Sequence, residues 1–362
     1  MITLWLRLTR ATRLLALLTL GLVALNGWAL LSYRPWARLP LRLTYADAHG
    51  YPVYSDSTAF LRNGQRLTEF DYSFRGLTDS TQHSPLPHLL GTWVPDVGVD
   101  GRVLPLPTQL RVDYTSLAEG RSYRGTFPLP ASVLDSLLAE ARRQPGRYRS
   151  LFTPGEEPGL ELQAALAPGG VVLVRLLGEN YATEVARFQA RPYPTRWPKL
   201  AGYPDSVPYR SLPALRRLMS RAEQAHLDSF PRVPLGRWDT LRARYPYRLR
   251  VLAPLRPQSL HVRYLNEDEE TLPGGGQSAC RPQPLPDFVR YVVQDARFRQ
   301  PRQTVCFDPV ELRRALALLP PPPPGECLDL LVQPTPGKVW VLLKYGHQQM
   351  ELTRSIIYAG PE

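Results

Sequence analysis

The chain has 362 residues, 44 Lys and Arg against 32 Asp and Glu, a formal charge of +12, and 39 prolines. Six arginines and no acid fall within residues 1–42, which leaves +6 for about 320 remaining residues, enough for one large or two ordinary domains. The only lysines are Lys199, Lys338 and Lys344, no run of five basic residues occurs and no aromatic–basic stripe exists, so nucleic-acid binding is excluded and the charge reads as a solvated basic surface.

Residues Leu14 to Tyr33 are almost all apolar, entered through Arg7, Arg10 and Arg13, with no acid before Asp47. At ~1.5 Å per residue, twenty such positions match the roughly 30 Å core of a bilayer. Residues 1–36 are therefore expected to be a signal anchor, a transmembrane helix with membrane as its partner. The alternative is a signal peptide cut after Ala29, with Gly27 and Ala29 as the small residues. Trp28, Leu30 and Leu31 continue the apolar run across that cut and favour the uncleaved anchor. Arg34, Arg38 and Arg42 on the far side leave only a weak orientation bias. No cysteine lies near the segment for lipid attachment.

Beyond the anchor, the spread of prolines predicts short strands and fixed loops rather than long helices. Leu110-Arg-Val-Asp-Tyr114 alternates as a half-buried strand does, and Leu260-His-Val-Arg-Tyr264 repeats that pattern. After Phe127-Pro-Leu-Pro, residues Val133, Leu134, Leu137, Leu138 and Ala141 predict an amphipathic helix up to Arg142. Its counterpart follows Phe307: Asp308 caps, Pro309 opens the first turn, and Leu312, Ala315, Leu316 and Leu319 form the apolar face. A hairpin comes next each time: Leu160–Leu166 and Val171–Leu177 around Pro168-Gly-Gly170, then Leu328–Val332 and Val339–Leu343 around Pro336-Gly-Lys338. The fold class expected is thus α+β, β-rich, with two related strand–helix–hairpin units after an N-terminal transmembrane helix. The units are 37–191 and 245–362, with 192–244 as a connector holding a short helix, Leu212 to Leu227. Leu265 to Thr304 is expected as an insert that lengthens the second copy. The knot Pro320–Pro324 reads as a stiff polyproline II connector, or as an SH3-type ligand.

Cys280, Cys306 and Cys327 fit no zinc spacing and contain no C-x-x-C. They read either as small buried residues or as a Cys306–Cys327 bridge with one thiol left over.

Several phrases resemble an uncharacterised family of bacterial envelope proteins, the domain of unknown function twenty-nine thirty-one. They are Tyr51-Pro-Val with Asn63-Gly64, Gly91-Thr-Trp-Val-Pro-Asp-Val-Gly-Val-Asp-Gly101, Leu106-Pro-Thr-Gln-Leu110 through Tyr123, Ala167-Pro-Gly-Gly-Val-Val172, Pro234-Leu-Gly-Arg-Trp-Asp239 and Arg244-Tyr-Pro246. Many members look like lipoproteins, whereas this chain lacks the lipobox cysteine. The resemblance implies an envelope location and transfers no catalytic residue. Some relatives sit beside secreted-toxin systems, which makes an immunity role one analogy.

Chemistry is sparse. Asp96 to Gly101 has the outline of a calcium loop, but Gly98 and Pro107 stand where oxygen ligands belong, so it reads as a turn. Asn266-Glu-Asp-Glu-Glu270 reads as a solvated loop, and Glu156–Glu157 as an exposed pair on a turn. Of the histidines (His49, His83, His88, His226, His261, His347), none forms H-E-x-x-H, and His261 is expected to face solvent from its strand. No nucleophile elbow, P-loop or G-x-G-x-x-G is present. No catalytic, cofactor-binding or metal residue is therefore assigned, and no small-molecule ligand is identified. The expected function is a non-enzymatic protein of the bacterial inner membrane, single-pass, with its soluble part in the periplasm, that binds a protein partner. The alternatives are a soluble periplasmic form after cleavage, and an envelope hydrolase or carbohydrate-acting enzyme with carboxylates not paired by sequence.

Overall fold

The computed structural model describes residues 10–32, 41–47, 51–55, 57–70, 105–143, 160–178, 181–194, 213, 216, 221–229, 233, 235–252, 257–273, 276–293, 302–335 and 338–359. Two compact units emerge, 1–39 and 40–362. In the first, helix α1 covers Arg10–Ser32 over 23 residues. Leu14, Leu15, Leu17, Leu18, Leu20, Leu22, Val23, Leu25 and Trp28 are all exposed on it. The side chains at several of its other positions lie outside the described residues. Among the described residues no helix is long and apolar enough to cross a membrane, so the transmembrane helix expected over 1–36 is not found there.

The second unit is β-rich. Its first half runs β1 (Leu41–Asp47), β2 (Val53–Ser55), β3 (Thr58–Arg62), β4 (Gln65–Phe70), β5 (Gln109–Ser116), β6 (Arg121–Pro128), α2 (Ala131–Arg143), β7 (Leu160–Ala167), β8 (Val171–Gly178), β9 (Tyr181–Gln189) and β10 (Arg191–Tyr193). The expected helix lies within α2, which buries Leu134, Leu138 and Ala141, worth ~1.5–3 kcal/mol for each leucine. The expected hairpin is β7–β8, whose turn puts Gly169 at φ 76° and Gly170 at φ 80°, a region only glycine enters freely. A second tight turn, Asn63-Gly64 with φ 51° and 78°, joins β3 to β4.

After α3 (Arg221–Ser229) and α4 (Arg237–Leu241) come β11 (Arg244–Val251), β12 (Pro257–Tyr264), β13 (Glu269–Pro273), β14 (Arg281–Pro284), β15 (Pro286–Val293), β16 (Arg302–Cys306), α5 (Pro309–Leu318), β17 (Leu328–Thr335), β18 (Lys338–Tyr345), β19 (Gln348–Glu351) and β20 (Ile356–Ala359). Helix α5 starts as expected: Asp308 accepts from the backbone N–H of Val310 and of Glu311, both at 2.8 Å, and Pro309 opens the first turn. Such a cap contributes about 1 kcal/mol.

The described strands form three sheets. A six-stranded sheet has the order β10-β6-β5-β3-β4, with β2 beside β5; a five-stranded sheet has β14-β11-β17-β18-β19. The nine-stranded sheet runs β1-β7-β8-β9-β13-β12-β15-β16-β20. Strand β1 lies parallel to β7, and β11 parallel to β17. Within the nine-stranded sheet, β9 of the first half meets β13 of the second through the single pair Glu269↔Ala182. In the second half, Leu260, Val262 and Tyr264 of β12 enter one core with Val289, Val305, Leu312, Leu316, Leu330, Val332 and Leu343. Because strand side chains alternate, His261 and Arg263 take the opposite face.

The stretch 265–304, expected as an insert, contains β13, β14, β15 and the start of β16. Two expectations are corrected here. Cysteine pairing differs: Cys280 bonds Cys327, with Cα atoms 5.8 Å apart, while Cys306 is a buried free thiol. The β11–β14 pairing carries Cys280 toward the segment that enters β17, which no spacing rule reveals. Of the connector helix expected over Leu212–Leu227, Pro213 and Arg216 are helical and Arg221–Ser229 forms α3, while the remaining positions lie outside the described residues. The acidic stretch from Asn266 is no solvated loop either, since Asn266 and Glu270 are both buried.

Candidate functional site

Three places gather polar or exposed groups: the seam between the halves, the polar face of β12–β16, and the outer strands.

At the seam, the turn after β12 places Glu267 at φ 65°, a conformation an L side chain enters only with about 1 kcal/mol or more of strain. Arg175 of β8 fixes it. Arg175 Nη1 lies 3.1 Å from Glu267 Oε2, and Nη2 donates to the Glu267 carbonyl. Asp268 accepts from the backbone N–H of Glu184 at 2.8 Å and from Asn266 Nδ2 at 2.8 Å. Burial pushes the Asp268 carboxyl up, partly offset by Arg175. Beside this turn lies a cleft of about 300 Å³ lined by Glu184, Asp239, Arg242, Ala243, Arg244 and Asn266. Arg242 grips Glu184, with Nε at 2.6 Å from Oε2 and Nη2 on Oε1. Arg187 holds Asp239 at 2.8 Å. Each carboxylate lining the cleft is thus bound to an arginine, an arrangement suited to joining two halves.

The polar face of the second half centres on His261. Its Nδ1 lies 3.3 Å from Thr271 Oγ1 and its Nε2 3.6 Å from Glu269 Oε2. Burial, then Arg290 and Arg263, push His261 down to about 4, so the imidazole is neutral near pH 7. Its side chain is only 15% exposed, which corrects the expectation that it faces solvent. Burial likewise raises Glu269, against the pull of Arg263 and Arg175. Next along the face, Arg263 binds Asp287 Oδ2 through Nε at 2.8 Å and lies 4.3 Å above the Phe288 ring, with Arg290 at 5.5 Å. Cys306 stands opposite Phe288, its thiol pushed up to about 11 chiefly by burial. Such a thiol is inert rather than nucleophilic. A neutral imidazole beside a carboxyl with a raised pKa can exchange a proton.

Among the described residues, six strands end the three sheets. Five are blunted in the ways exposed edges usually are. β1 carries Arg42 and Asp47; β10 carries Pro192; β14 carries Pro282 and Pro284; β4 carries Arg66 and Glu69 and has a register shift opposite it at Phe60/Leu61; β19 carries Glu351. β20 differs. Ile356, Ile357 and Tyr358 are 46%, 40% and 41% exposed, on both faces of the strand, with no proline and no charge. Among the described residues β20 has a neighbour on one side only, β16.

Among residues singled out in the sequence, Asp96–Gly101, Glu156–Glu157, His49, His83 and His88 lie outside the described residues. His347 sits in the exposed turn between β18 and β19, far in sequence from the face that His261 occupies. Among the described residues no three His, Cys, Asp or Glu side chains are grouped to hold a metal ion. The quoted phrases do converge. Leu235 covers Gly169, with Cδ2 3.0 Å from where a Cβ would stand. Trp238 meets Tyr51 edge-on at 5.8 Å, and Tyr114 Oη donates to the Ala167 carbonyl at 2.7 Å. These contacts are packing around the β7–β8 turn. The β20 edge and the His261 face were missed because neither strand pairing nor sheet position is written in periodicity; three uncharged exposed residues near the end of the chain were the only signal.

Residues 55–223 match the family described as "Protein of unknown function (DUF2931)", so this stretch, from the end of β2 into α3, is a domain of that family. No curated protein and no solved structure was found to match the chain.

Proposed function

We propose that this chain is a single-pass protein of the bacterial inner membrane whose body lies in the periplasm and binds a protein partner rather than catalysing a reaction. What supports a tether is the sequence: no charge occurs between Arg13 and Arg34, a run of about twenty residues, the length a bilayer core asks of a helix. A disulfide fits an oxidising compartment.

The body reads as two copies of one α+β unit. In the first half the strand orders are β1-β7-β8-β9 and β10-β6-β5-β3-β4; in the second they are β11-β17-β18-β19 and β20-β16-β15-β12-β13. Taken in chain order these correspond strand for strand, each with one parallel pair and one helix before its hairpin. β2 and β14 are the additions.

The observation that carries partner binding is β20, the one terminal strand among the described residues that is apolar and carries neither proline nor charge. An extended segment of another protein can add there, with main-chain hydrogen bonds for affinity and alternate side chains for specificity. An immunity protein that occupies a toxin is one form this could take. Recovery of the tagged, full-length chain from detergent-solubilised membranes tests it. A stoichiometric companion is expected, and Ile357→Lys should release it while leaving the melting temperature unchanged. A solitary wild-type chain under every growth and competition condition would sink the reading.

A second reading, an envelope hydrolase, is favoured by one observation: the neutral His261 beside Glu269. It requires that His261→Gln abolish a hydrolytic activity of the intact chain on envelope polymers.

A further inference from the structure

We infer that the cleft at the seam is a binding site for a small hydroxylated anion, an acidic monosaccharide or a sugar phosphate, whose carboxylate or phosphate group meets Arg244 and Arg242. Three ties build its walls. The β11–β14 pairing sets Arg244 opposite Pro284. The Leu265 N–H donates to the adjoining Leu285 carbonyl at 2.8 Å, which brings Asn266 beside the start of β11. The Glu184 N–H donates to Asp268 at 2.8 Å, which carries β9 to the same place. Helix α4 then supplies Asp239 and runs directly into Arg242, Ala243 and Arg244. None of these ties involves β20.

Charge at the cleft does not balance. Arg242 spends Nε and Nη2 on Glu184, and Arg187 holds Asp239 Oδ1 at 2.8 Å. Arg244 is left over: it is exposed on the cleft wall and has no ion pair or side-chain hydrogen bond among the described residues. Arg242 Nη1 is unspent too, since it lies 3.9 Å from Asp239 Oδ1, beyond hydrogen-bond reach. One excess positive charge with unspent N–H groups on two guanidinium planes suits a carboxylate or phosphate, whose oxygens match that fork. The other lining groups suit hydroxyls. Asp239 Oδ2 accepts no hydrogen bond, and buried Asn266 gives Asp268 only one of its two amide N–H groups. About 300 Å³ stands at the small end of ligand sites and holds roughly one sugar ring with its acidic group. No aromatic side chain lines the cleft, so a nucleobase has nothing to stack on.

The test is titration calorimetry of the purified full-length chain with glucuronate, glucose-6-phosphate and glucose. At least one of the two anions should bind one to one with a Kd of about 1 mM or below, and glucose at least tenfold more weakly. Which anion binds distinguishes a carboxylate site from a phosphate site. Arg244→Gln should weaken anion binding at least tenfold at an unchanged melting temperature, because that side chain is exposed and unpaired. Arg248→Gln, on the same strand but outside the cleft and bound to Asp329 at 2.8 Å, should leave the affinity as it is. No saturable binding of either anion, equal binding of glucose, anion binding that survives Arg244→Gln, or an equal loss from Arg248→Gln overturns the site. Failure here leaves partner binding at β20 standing, and failure of partner binding leaves this site standing.

Discussion

Replacing Arg175→Met tests whether ion pairing at the seam joins the two halves. The Arg175 side chain is 5% exposed and that of Glu267 14%, with 3.1 Å between their charged atoms. At an effective dielectric near 20 the Coulomb attraction is about 5 kcal/mol, against which both groups lose hydration. Removing one member of such a pair costs roughly 3–5 kcal/mol, because the other charge stays buried. The turn also loses the guanidinium donor on the Glu267 carbonyl. We expect Arg175→Met to lower unfolding free energy by about 3 kcal/mol in guanidinium titrations followed by circular dichroism. Glu267→Gln added to it should restore most of that loss, a coupling of about 2 kcal/mol in the double-mutant cycle. Amide exchange at Glu269–Thr271 should rise in the single variant before global unfolding. A loss under about 1 kcal/mol with unchanged exchange at β13 would refute the seam's role.

Three further outcomes follow from named contacts. Reducing Cys280–Cys327, which closes a separation of 47 residues, should lower stability by about 4 kcal/mol in the chain-entropy treatment, measured as the midpoint shift with and without reductant. His261 is held near 4 in the fold against 6.5 unfolded, so its contribution is complete above pH 6.5 and fades as pH falls toward 4. Between pH 7 and 5 that loss is about 2 kcal/mol, and His261→Gln should remove it. Asp268, Glu269 and Asp287, raised in the fold by burial, act with the opposite sign in both proteins and cancel from the comparison. Finally, a Cβ on Gly170 would stand 2.5 Å from the Ala190 carbonyl and 2.8 Å from the Tyr123 ring, at φ 80°. Gly170→Ala should cost about 3 kcal/mol through strain plus overpacking. Gly64→Ala, at φ 78° in open space, should cost only about 1 kcal/mol by thermal melting.

Local signals were readable and long-range ones were not. Asp308-Pro309 caps a helix wherever it is placed, and Pro168-Gly-Gly170 turns a hairpin in any sheet, so these elements stand in the sequence. The partner of a strand does not. Leu110–Tyr114 and Leu260–Tyr264 look alike because both alternate, yet β5 holds in the first half's order the place that β15 holds in the second. Glu267 gives no local hint that Arg175, 92 residues away, holds its backbone. His261 alternates with apolar neighbours like any solvent-facing residue, but the opposite face of its sheet is also covered. An exposed edge becomes visible only when every terminal strand is known.

The most direct measurement of partner binding at β20 is hydrogen exchange of residues 356–359 in the full-length chain, placed in the bilayer proposed for it. If a neighbouring strand adds there, the amides not bonded to β16 should exchange slowly in the membrane and rapidly in the Ile357→Lys variant, with β15 and β16 unchanged. Equally rapid exchange of those amides in both proteins would contradict it.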